Sequence, residues 1–174
     1  HDGSAFHNVT IAQIEGLAKL YAIPVSGSPD YLKFAIDVTT GGGTTQLTSH
    51  TVQAATGTEY VVSAVRASDD LRLEVSTGGG APTVANTSLS DTNGPLFDET
   101  KPPEVLIGIE RDRTVGDDGE QYENRWRGAI KEVAFYATAL PWAMHSSEGM
   151  AGVRPESAVF HIDFARMAGD RAPD

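Results

Sequence analysis

Hydrophobic and polar residues alternate through much of the chain, and the alternation has the period of a strand, not of a helix. The clearest window is Tyr31–Val38, where Leu32, Phe34, Ile36 and Val38 fall on one face and Lys33, Ala35 and Asp37 on the other. A period of two with one apolar face predicts a half-buried strand. Leu71–Val75 repeats the pattern, with Leu71, Leu73 and Val75 opposed to Arg72 and Glu74, and Ala67–Asp70 supplies a turn that joins it to Tyr60–Arg66 as a hairpin. Val9–Ile14 and Leu17–Ile23 read as another hairpin, folded about Glu15-Gly16.

Further strands are expected at Gln46–Val52, after the glycine-rich connection Thr39–Thr45, and at Glu104–Glu110, Trp126–Tyr136 and Ala158–Phe164. Arg111–Glu123 reads as a charged loop between two of them. Within Trp126–Tyr136, Ile130 lies three residues from Val133, so a bulge near Lys131-Glu132 is needed to put Ile130, Val133 and Phe135 on one side. Ser76–Pro103 reads as a long loop with a short strand inside it, because neither flank holds enough strands for a separate core. Leu140–Glu148 carries signals for one or two helical turns, with Pro141 at a first helical position and Gly149 as the stop. About ten short strands with almost no helix predict an all-β fold, a two-sheet antiparallel jelly-roll β-sandwich.

Composition agrees with many turns: 18 glycines and 9 prolines accompany only 7% aromatic residues. A chain of 174 residues suits one well-buried domain, 1–174. A net charge of −11 argues against nucleic acid, which demands Lys and Arg concentrated on one face, and is read as solubility. The absence of cysteine removes disulfides and thiolate metal sites. No apolar run approaches a membrane span.

Val105–Leu140 carries a recognisable series: Ile107-Gly108, a variable loop, then Trp126, Gly128, Ile130, Glu132-Val133, Tyr136 and Ala139-Leu140. In that order it resembles the closing portion of laminin-G-like domains, which share the concanavalin A-like jelly roll, and Thr58–Val75 is similar to the central hairpin of that family. The resemblance covers about two thirds of the chain and implies binding outside a reducing cytoplasm: extracellular, at a cell surface or in a virion. Ala158–Asp174 is similar to the opening of such a domain. Two readings of it stay open, a closing strand of this domain or the first strand of a following repeat in a longer protein.

Enzymes of the same fold supply patterns to test. Retaining glucanases carry Glu-x-Asp-x-x-Glu on one strand, and two residues after Glu156 this chain has Ala158. Val9–Gly16 and Leu17–Tyr21 resemble two consecutive strands of alginate lyases, but Glu15 stands where their histidine belongs. The five histidines show no ligand spacing, and Ser146 and Ser147 beside His145 lack the strand-to-helix elbow of a hydrolase. A polysaccharide lyase-like enzyme is therefore the weakest reading, and no catalytic residue is assigned.

Binding chemistry has better candidates. Asp117, Asp118 and Glu120, beside Gly116 and Gly119, place three carboxylates on a tight loop of the kind that suits calcium. The alternative is a solvated acidic turn held by Arg111 and Arg113. Tyr122 and Trp142 are candidates for stacking on the apolar face of a sugar ring, whereas Trp126 is expected in the core. The resulting expectation is a non-catalytic recognition module for a carbohydrate or a protein surface, with calcium at the acidic loop. A structural or adhesion repeat, such as a phage tail or capsid decoration that packs against other subunits, is the alternative.

Overall fold

The computed structural model describes residues 8–55, 57–77, 80–90, 104–112, 121–123, 126, 128–136 and 158–164. Among these residues the chain is all-β, with antiparallel pairing throughout and no helix. The strands are β1 (Val9–Ile14), β2 (Ala18–Val25), β3 (Ser28–Thr40), β4 (Gly43–Thr48), β5 (Val52–Gln53), β6 (Tyr60–Ala67), β7 (Asp70–Thr77) and β8 (Thr83–Ser88). They continue with β9 (Val105–Ile107), β10 (Glu110–Asp112), β11 (Gln121–Glu123), β12 (Glu132–Tyr136) and β13 (Ala158–Asp163).

A six-stranded sheet runs in the order β4-β3-β2-β1-β9, with β5 also paired to β3, and a three-stranded sheet runs β6-β7-β8. Neighbours along the chain are thus neighbours in the sheet from β1 to β4 and from β6 to β8, while β9 returns to pair with β1. The β1–β2 turn shows how local chemistry starts this meander. Leu17 N–H donates to Ile14 O at 3.0 Å, and Gly16 takes φ 71°, which a side chain disfavours.

Both sheets feed one apolar core. Ala22, Phe34, Ile36, Val38 and Leu47 from the larger sheet cluster with Leu71, Leu73 and Val75 of β7 and with Leu89. These are the residues that alternation assigned to the inner faces of β3 and β7. Leu73 is fully enclosed at 0% exposure, and burying such a side chain is worth about 1.5–3 kcal/mol. The side chains that alternate with them, Ala35 and Asp37 on β3 and Arg72 and Glu74 on β7, lie on the outer faces.

The differences from the expected strands have local causes. Gln46–Val52 is not continuous: it breaks between β4 and β5, where Ser49 replaces part of the ladder with its side chain. Phe34 N–H donates to Ser49 Oγ at 2.9 Å, and Ser49 N–H donates to Phe34 O at 2.8 Å. The short strand expected inside the loop Ser76–Pro103 is present as β8, a six-residue edge strand with the largely polar sequence TVANTS. The charged loop Arg111–Glu123 begins and ends in a ladder, since β10 pairs with β11.

The strand expected from Trp126 starts only at Glu132. Trp126 N–H instead donates to Gly108 O at 2.8 Å, and its ring packs against the core cluster, as expected for an inward tryptophan. Gly128 is required by that packing: a Cβ there would meet the indole at 2.7–2.9 Å. The segment Ala158–Phe164 forms β13, which pairs with β12 through Val133↔Ile162 and Phe135↔Phe160. The helical turns expected over Leu140–Glu148 lie outside the described residues. No helix among the described residues is long and apolar enough to cross a membrane.

Candidate functional site

Strand register decides which side chains share the outer face of the six-stranded sheet. Gln13 pairs with Lys19, Lys19 with Asp37, and Asp37 with Gln46, so four polar residues from four strands form one row. The next row is Thr10, Tyr21, Ala35 and Thr48. Thr10 and Ala35 are at 0% exposure and Tyr21 at 2%, although they point away from the core. The outer face is thus shielded along one row and open along the next.

Tyr21 ties the two rows together. Its hydroxyl donates to Asp37 Oδ1 at 3.0 Å and accepts from Gln46 Nε2. Lys19 Nζ lies 5.1 Å from the centroid of the Tyr21 ring, within cation–π range. A buried phenol thereby orients a carboxylate from β3, an amide from β4 and an ammonium from β2. Thr39 and Thr44, one position further along the same face, place their hydroxyl oxygens 3.1 Å apart.

Beside this network lies an open depression of about 200 Å³, whose lining includes Gln13, Leu17, Lys19, Asp37, Thr39 and Thr44. Gln13 Oε1 is enclosed and accepts no hydrogen bond from the described residues. An amide oxygen left without a donor carries a desolvation cost of about 1–3 kcal/mol, which a partner group relieves. Asp37 is the one carboxylate among the described lining residues. A single carboxylate can accept hydrogen bonds from a ligand.

No family model, curated protein or solved structure matches this chain. Its chemistry is therefore read from its own side chains.

Of the residues singled out from sequence, Tyr122 stands on β11, where its backbone is partnered with Arg111 of β10. Asp117, Asp118 and Glu120 belong to the connection between β10 and β11, which lies outside the described residues, as does Trp142. Among the described residues no group of three or more His, Asp or Glu side chains is placed to hold a metal ion. Sequence reasoning missed the row Gln13, Lys19, Asp37 and Gln46, although alternation had already put Asp37 on the outer face of its strand. The missing information was register, which alone sets Tyr21 beside Asp37 and Gln46.

A second polar feature lies on the outer face of the three-stranded sheet. Glu74 is buried at 4% exposure; its Oε1 lies 3.7 Å from Arg72 Nη1, and its Oε2 has no hydrogen-bond partner. Ser76 and Val65 are buried on the same face.

Proposed function

We propose that this chain is a non-catalytic recognition module of the laminin-G-like, concanavalin A-type jelly roll, and that its ligand is a carbohydrate at a cell surface or outside the cell. The observation that carries the reading is the open depression on the six-stranded sheet, walled by an amide, two hydroxyls, an ammonium and one carboxylate. Sugars are recognised by such mixed donors and acceptors held in fixed positions, and Tyr21 supplies the fixing by orienting Asp37 and Gln46. The acidic loop with Asp117, Asp118 and Glu120 extends the proposal to calcium, which takes oxygen ligands of this kind.

The alternative, a repeat in a virion or surface assembly, draws support from β13. Val159 on that strand is 72% exposed, an apolar side chain available to a neighbouring subunit. A glycan array followed by calorimetry, with calcium and then with excess chelator, separates the readings. Binding in calcium supports the module, and its loss on chelation assigns the metal to the ligand site. Absence of glycan binding in both conditions favours the assembly role.

A further inference from the structure

We infer that the depression beside Tyr21 takes one ring of a neutral, polyhydroxylated ligand, an uncharged pyranose within a longer glycan. The inference rests on the carbohydrate reading above and narrows it to a chemical class and to named contacts.

Size sets the first limit. A depression of about 200 Å³ falls below the roughly 300–1,000 Å³ of sites that enclose a whole drug-sized molecule. It suits a single ring, and its open side lets a chain continue beyond it.

Charge sets the second. Lys19 and Asp37 are direct cross-strand partners, so the local charges of the lining cancel. The chain as a whole carries −11, which repels uronates and sulfated sugars before they reach the sheet. A neutral ligand meets neither obstacle.

Hydrogen-bond character sets the third. Gln13 lines the depression with its side-chain amide, whose oxygen is enclosed and has no donor among the described residues. The Thr39 and Thr44 hydroxyls can each donate or accept. A sugar hydroxyl also does both, so it matches all three without a change in protonation. Leu17 provides apolar wall for the C–H face of the ring.

The test uses the whole chain and the tightest-binding oligosaccharide from an array. Titrations compare the parent with Gln13→Leu and Thr44→Val, whose folding is checked by urea midpoint. The competitors are methyl glucoside, galactoside and mannoside on one side, and glucuronate and galactose 6-sulfate on the other. Loss of one hydrogen bond at each variant corresponds to about fivefold weaker binding, and only the neutral glycosides are expected to compete. Glycan binding untouched by both variants, or displaced best by the acidic sugars, overturns the inference while leaving the carbohydrate reading in place. Binding to no glycan at all overturns both.

Discussion

Tyr21→Phe removes one oxygen atom from the centre of the outer-face network and leaves the ring, and hence the packing, in place. The hydroxyl donates to a carboxylate at 3.0 Å from a residue only 2% exposed. A hydrogen bond to a charged acceptor contributes about 1.5–3 kcal/mol net. Asp37 is half-buried and Gln46 exposed, so water recovers part of what each loses, and the lower end applies. The expected loss is about 1.5 kcal/mol, a fall in Tm of roughly 3–6 °C for a chain of this size. Urea unfolding should show the midpoint shifted with the m-value unchanged. The Tyr21–Asp37 pairing adds a sharper requirement. The double variant Tyr21→Phe with Asp37→Ala should lose about 1 kcal/mol less than the sum of the single variants. Effects that add within about 0.3 kcal/mol, or a Tyr21→Phe variant as stable as the parent, would refute the network.

Leu73→Ala opens a cavity in the core shared by the two sheets, at a side chain with 0% exposure, and should cost about 3–4 kcal/mol in chemical denaturation; a cost below 1 kcal/mol would contradict a shared core. Glu74→Gln removes a charge buried at 4% exposure with one unpartnered oxygen, so stability should stay within about 1 kcal/mol of the parent or rise, and a larger loss would show that the carboxylate is required. Burial, with Glu132 adding to it, holds the Tyr136 phenol above its ordinary 10.0. Its folded state therefore disfavours the phenolate: that contribution is complete below the ordinary value and is lost as pH rises through the folded one. Unfolding midpoints measured from about pH 9 upward should fall more steeply for the parent than for Tyr136→Phe, and parallel curves would refute this.

The parts of the fold that were legible are those written in alternation. Leu32, Phe34, Ile36 and Val38 marked the inner face of β3, and Leu71, Leu73 and Val75 that of β7, because burial on one face of a pleated strand repeats every second residue. β8 was faint because only Ala85 of its six residues joins the core and the rest are polar or exposed. The break after β4 was hidden because it depends on a single Ser49 hydroxyl replacing a ladder group. Trp126 belonged to the apolar series and packs inward, yet its segment is not strand, since the indole lies against Gly128 and its backbone bonds to Gly108. The candidate site was less legible still. Tyr21, Asp37 and Gln46 lie on three successive strands, each ordinary in its own window, and they meet only through the registers Lys19↔Asp37↔Gln46 and Tyr21↔Ala35. Loop aromatics such as Tyr122 and Trp142 stand out in a sequence; a polar row across a sheet does not.

Locating the bound glycan shows whether ligand is recognised on the outer face of the six-stranded sheet. The measurement is a titration of isotopically labelled protein with the best array oligosaccharide, followed through backbone amide shifts. The perturbed amides are expected to cluster at residues 13–19 and 37–46. Shifts confined to residues 113–123 and around Trp142, with that face silent, would contradict that expectation and place recognition at the acidic loop.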